Sequence, residues 1–153
     1  MDYLEYAKQQ QEIDSDLEIF GGINEDFIKK SEDKLGVLFP KQYALFLKEC
    51  GSCGYPDSYI SGLFQEWNNE ESPGSTLYDT LMARKQHNLS KDYIVLEYAV
   101  DENYYLLKVS EGITTEDSAI YSVDIDSDEN LGRFNKIFDS FEEYFKFTIK
   151  AEN

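Results

Sequence analysis

The stretch Glu32-Asp33-Lys34-Leu35-Gly36-Val37-Leu38-Phe39-Pro40-Lys41-Gln42-Tyr43-Ala44-Leu45-Phe46-Leu47-Lys48-Glu49-Cys50-Gly51 decides the fold. Gly36 supplies the residue that ends one helix, because it adopts a left-handed conformation without a Cβ clash. Pro40 suits the start of the next, where its fixed φ matches the helix and its missing N–H loses no bond. Tyr43, Leu45, Phe46 and Leu47 then follow before Gly51 stops the second helix, so the stretch reads as helix, short extended link, helix. Upstream, Asn24 is placed as an N-cap for a helix through about Lys34, with Phe27, Ile28, Ser31 and Leu35 as its inward stripe. Gly21-Gly22 breaks the chain before it. From Asp2 to about Ser15 the residues favour helix, with Leu4, Ala7 and Gln11 at helical spacing, but their polarity predicts weak packing.

Downstream, residues 51–75 are rich in Gly, Ser, Asn and Pro and read as a long surface excursion, with Tyr59 to Phe64 its one predicted strand. Thr76 caps a helix to about Asn88 that turns Leu77, Leu81 and Met82 inward. The period then shortens. Residues Tyr93 to Tyr98, Tyr104 to Val109 and Ala119 to Val123 are branched and aromatic runs joined by short connections, which favours an antiparallel meander. Ser140 with Glu143 forms a capping box for a last helix, with Phe141, Tyr144, Phe145 and Thr148 facing the sheet. No repeat or low-complexity tract divides the 153 residues. The expected fold class is α+β: a single domain over residues 1–153, with an antiparallel β-sheet meander and the N-terminal helices and a C-terminal helix packed against it.

The net charge of −17 is unevenly placed. Residues 92–130 hold eleven acids against one base, Lys108, whereas residues 21–53 and 131–153 are each balanced. Concentrating like charge weakens a folded domain, which points to a cationic partner that the field attracts; the alternative is a gain in solubility alone. The same charge repels phosphates and anionic headgroups, so neither nucleic acid nor a membrane is expected as a partner. With 41% hydrophobic and 15% aromatic residues the chain is no disordered acidic tail. The N-terminus lacks a basic segment followed by an apolar run, and no stretch is long and apolar enough to span a bilayer, so a cytoplasmic location is expected.

The motif Ile23-Asn24-Glu25-Asp26-Phe27-Ile28, followed by Leu35-Gly36, Leu38-Phe39-Pro40, Tyr43, Phe46-Leu47 and Gly51, resembles the SUKH (Smi/Knr-like) superfamily, most specifically over residues 23–63. The later order, a meander and then an amphipathic helix, is similar too. The resemblance implies an immunity protein that binds and neutralises a cognate secreted toxin with a basic C-terminal domain. Many such toxins are nucleases; other members of the superfamily are regulatory adaptors. That implication agrees with the charge, because a nuclease holds phosphates with Lys and Arg that acidic loops can occupy.

No catalytic or metal site assembles from the sequence, and no enzyme activity or cofactor is expected. Cys50 and Cys53 follow a helix end, the wrong end to stabilise a thiolate, and with the single His87 they make a poor zinc set. The run Asp124-Ile125-Asp126-Ser127-Asp128 begins like a calcium loop but puts Glu129 where the loop needs Gly and Asn135 where it needs Glu. No nucleophile motif surrounds His87. The expected partner-binding set is therefore Asp57, Glu66, Trp67, Glu70, Asp101, Glu102, Asp124, Asp126 and Asp128, drawn from loops and strand ends of the acidic half. Trp67, flanked by acids, reads either as an interface anchor or as a lid over the sheet.

Overall fold

Short polar side chains and glycines set the helix boundaries in the computed structural model, which describes residues 1–110 and 112–152. In chain order the elements are α1 (Tyr3–Ile13), β1 (Glu18–Ile19), α2 (Glu25–Leu35), α3 (Lys41–Cys50), β2 (Cys53–Tyr55) and β3 (Ser58–Ile60). They continue with α4 (Thr76–His87), β4 (Tyr93–Ala99), β5 (Asn103–Lys108), β6 (Ile120–Asp124), β7 (Asn135–Phe138) and α5 (Phe141–Ile149). Asn24 accepts from the Phe27 N–H at the start of α2, and Gly36 closes that helix at φ 71°. Ser140 accepts from the Glu143 N–H at α5, where Asp117 adds a second cap by accepting from the Phe141 N–H at 2.7 Å. The α4 cap is Ser75, one residue before the expected Thr76.

The strands form two antiparallel sheets, β1-β2-β3 and β4-β5-β6-β7. Period-two alternation along β4 divides the larger sheet's side chains. Ile94 and Leu96 join a core shared with α1, α2, α3 and α5, whereas Val95 joins a smaller one with Ala83, Tyr104, Leu106, Val123 and Ile125. The larger core is aromatic: Tyr43, Phe46, Phe141 and Phe145 are buried together, with Tyr3 edge-on to Phe46 and Phe145. Tyr3 comes from α1, so the weak packing expected of that helix does not hold. Tyr3, placed one turn before Ala7, buries one face of α1, and Leu4 and Tyr6 pack at its margin, although much of the rest is polar.

Residues 51–75 also depart from the expected surface excursion. Cys50 through Gly54 and Ile60 through Phe64 are buried; of the strand expected over Tyr59 to Phe64 only the first two residues are realised, as the end of β3, which pairs with the unexpected β2 in a hairpin. Gly51 and Gly62 mark close backbone approach: a Cβ on Gly62 would lie 1.9 Å from the Gly51 carbonyl oxygen, and one on Gly51 would lie 2.1 Å from that of Gly21. The inner face of α4 is likewise more polar than expected. Thr76, Thr80, Ala83 and His87 are buried, while Leu81 and Met82 are half-buried. Both threonines have work at the outer edge of β4: Thr76 Oγ1 donates to the Val95 carbonyl at 2.8 Å, and the Val95 N–H donates to Thr80 Oγ1 at 2.9 Å. These bonds satisfy an edge that would otherwise be open.

Candidate functional site

Strand direction decides which acids meet. β4 and β5 are joined by a turn at residues 100–102, and Asn103 pairs with Asp124, so the end of β6 lies beside that turn. The Ile125 N–H donates to the Glu102 carbonyl at 2.8 Å and fixes the two together. Asp101, Glu102, Asp124, Asp126, Asp128 and Glu129 consequently share one end of the sheet, all exposed. Asp92, before β4, and Glu116 and Asp117, before β6, lie at the opposite end. Glu111, which belongs to the same acidic stretch, is outside the described residues. The stretch of eleven acids is therefore not one surface: six of its members gather at one rim.

The expected binding residues divide in the same way. Asp101, Glu102, Asp124, Asp126 and Asp128 are on the rim, and Asp57, at the tip of the β2–β3 hairpin, borders a cavity that also includes Val100 of the β4–β5 turn. Glu66, Trp67 and Glu70 belong to a different loop. Buried Asn69 holds that loop, its amide side chain accepting from the Phe64 N–H and donating to the Phe64 and Trp67 carbonyls. Trp67 is 50% exposed and stacks beside Phe64 and Phe20, so it is not a lid over the larger sheet. Glu70 pairs with Lys34 of α2.

Two rim acids also hold the rim in shape. Asp126 accepts from the Asp128 and Asn130 N–H groups, both at 2.9 Å, which closes the loop on itself. Glu129 occupies a left-handed conformation at φ 66°, which costs a non-glycine residue on the order of 1 kcal/mol. Its carboxylate lies 2.8 Å from His87 Nε2, and His87 Nδ1 lies 2.6 Å from the Tyr104 hydroxyl. A carboxylate only accepts, so Nε2 carries the proton; in the neutral ring the Tyr104 O–H then donates to Nδ1. Burial raises the Tyr104 hydroxyl well above its usual pKa and keeps that proton in place. His87 is thus a buried post under the rim. Its place at a helix end gave no sign of this, since the partner Glu129 is distant in sequence and lies within a loop.

Two further carboxylates are drawn inward. Asp79 is buried and accepts from Ser61 at 3.0 Å and from the Gly74 N–H at 3.3 Å, tying the segments before α4 together. Glu97 is half-buried on β4 and accepts from the Tyr144 and Ser58 hydroxyls. Burial pushes both carboxyls above their ordinary range, partly offset by those hydrogen bonds. Cys50 and Cys53 are both buried and not joined by a disulfide; the hydrogen bond with Cys50, then burial, push the Cys53 thiol up, the reverse of what a reactive thiolate needs. No group of three or more His, Cys, Asp or Glu suited to a metal occurs among the described residues. No helix of the described residues is long and apolar enough to cross a membrane.

These features define an α+β protein with two antiparallel sheets and a carboxylate-lined rim open to solvent. The family model described as SMI1-KNR4 cell-wall, SUKH_5, matches residues 3–150, and the chain belongs to that family. No curated protein matches it.

Proposed function

We propose that this protein is an immunity protein: it binds a cognate secreted toxin in the cytoplasm and neutralises it by covering a basic active site, that of a nuclease. The observation that carries the reading is the meeting of Asp101, Glu102, Asp124, Asp126, Asp128 and Glu129 at one exposed sheet end. Carboxylates held there by backbone pairing and by His87 offer a preformed anionic surface. Such a surface steers a cationic cleft towards itself and occupies the positions that phosphates would take. Members of the family are commonly immunity proteins in toxin–immunity systems, which supports the same reading.

The test is co-expression with the product of an adjacent gene that encodes a secreted protein with a basic C-terminal domain. Survival of the host and co-purification of the two chains are expected; a toxic product that is neither bound nor neutralised would refute the reading. The variant Glu102→Lys/Asp124→Lys/Asp128→Lys then examines the surface, leaving Asp126 in place because its carboxylate closes the loop. Its association with the toxin should be slower, most of all at low salt.

A second reading, a regulatory adaptor without a toxin, draws on the family description, which names the cell wall. A cell-wall defect on deletion, in a cell with no neighbouring toxin gene, would favour it.

A further inference from the structure

We propose that the cleft between the larger sheet and α5, floored by Glu97, receives an arginine side chain of the partner protein. The proposal rests on the reading above of the chain as a binder of a cationic protein, and it adds an anchor away from the acidic rim.

The cleft has a volume of about 1030 Å³, and its walls include Tyr55, Tyr105, Phe138, Tyr144 and Phe147. A β-bulge turns Glu97 into it. Val95 pairs with Leu106 and Glu97 with Tyr105, so Leu96 is the extra residue on β4. Strict alternation would send Glu97 to the opposite face, where Tyr98 stacks on Tyr104; the bulge instead leaves Leu96 and Glu97 together on the face that α5 covers. A directly paired Glu97 and Tyr105 then stand side by side on that face.

The carboxylate is incompletely partnered there. One oxygen accepts from the Tyr144 hydroxyl and the other from Ser58 at 3.4 Å, and among the described residues Glu97 makes no ion pair. A carboxylate has room for about four hydrogen bonds, so acceptor capacity remains. Burial disfavours its charge, a cost that an arriving cation would relieve. Asp14 and Glu152 also line the cleft, against one base, Lys150, among the described residues.

Arginine fits this combination better than lysine does. Its planar guanidinium presents several donors to a carboxylate while its faces stack on aromatic rings, and Tyr105 and the 72%-exposed Phe147 provide such rings. A second cavity, of about 320 Å³, shares Ser58, Glu97 and Tyr105 with the first and extends to Asp57 and Val100 beside the rim. One extended basic segment can therefore run from the rim to Glu97.

The test follows the amide resonances of the full chain during titration with the peptide Ac-Gly-Phe-Arg-Gly-NH2 and with its citrulline counterpart, which is neutral and nearly isosteric. The arginine peptide should shift amides around Glu97, Tyr105 and Phe147. Citrulline in the peptide, or Glu97→Gln in the protein, should weaken binding about tenfold or more, the effect of losing one charge-assisted contact. Equal affinity for the two peptides, unchanged affinity in Glu97→Gln, or shifts confined to residues 124–129 would each overturn the arginine site. If Glu97→Gln does not fold, Tyr105→Leu keeps the carboxylate and removes the ring, and undiminished binding in that variant overturns the site equally. Full toxin neutralisation by Glu97→Gln, with loss in Glu102→Lys/Asp124→Lys/Asp128→Lys, would sink the cleft and spare the immunity reading. Peptide binding with no toxin neutralised would do the opposite.

Discussion

The aromatic core under α5 and the acidic rim at the far end of β5 and β6 belong to one fold but are held by different forces. Under α5, Tyr3, Phe46, Phe141 and Phe145 from three helices bury one another, and the segment around α2 and α3 is balanced in charge. At the rim the backing core is small, and the geometry comes from polar bonds: Asp126 to its own loop, Glu129 to His87, and His87 to Tyr104. Apolar burial tolerates approximate geometry, whereas hydrogen bonds fix direction. The contrast shows why a charged surface meant to keep one shape is founded on a buried histidine.

The comparison predicts a graded series of effects. Phe46→Ala should cost about 3–5 kcal/mol in denaturant unfolding, as expected for an aromatic removed from a close-packed core. A loss under about 1 kcal/mol would show that the aromatic cluster is not the principal support. His87→Leu should cost about 1–3 kcal/mol, because the Tyr104 hydroxyl is left buried without its partner. Amide exchange at residues 126–130 should speed up in that variant while exchange in α3 stays slow; unchanged exchange would mean that the loop stands without its post.

Acidification gives a third comparison. Folding raises the carboxyl pKa of Glu97 and Asp79, so the folded chain binds those protons more tightly than the unfolded one. Stability must then fall as pH rises through the folded-state values and be regained as pH is lowered towards the ordinary values of 4.5 and 3.8. Thermal midpoints of Glu97→Gln should show less of this gain than the parent. An identical pH profile would remove Glu97 as a source. The smallest stability effect belongs to Glu102→Lys/Asp124→Lys/Asp128→Lys, within about 0.5 kcal/mol, since these side chains are exposed. A large loss would mean that the rim acids, too, support the fold.

Much of the scaffold was legible because its signals are local. Asn24, Gly36, Pro40, Gly51 and the Ser140 cap, the realised half of the expected box, each act on backbone within a few residues, and the three apolar runs became β4, β5 and β6. The parts that escaped depend on distant contacts. Gly62 falls inside the expected strand, but it is a glycine because its backbone crosses that of Gly51. Thr76, Thr80 and His87 hide an inner face from any count of apolar residues. β7 runs as Asn-Lys-Ile-Phe, with its first three residues exposed and no alternation to betray it.

The candidate site was legible only in part, for the same reason. Residues 101–102 and 124–128 read only as loops and strand ends of the acidic half; strand register brings them together, yet Glu66, Trp67 and Glu70 lie in a separate loop. Glu97 passed unnoticed because a carboxylate in an apolar strand reads as its outward residue. A bulge, which leaves no mark in composition, reverses that orientation.

The threonine bonds at Val95 carry a consequence for how copies of this protein behave in bulk. One flank of the larger sheet is stitched shut by α4, while the other ends in β7, whose residues 135–137 face solvent. Mutual repulsion between chains carrying −17 keeps such flanks from zipping together in dilute buffer. In molar salt that repulsion reaches only about 3 Å, and the unstitched flank becomes the place where self-association should begin.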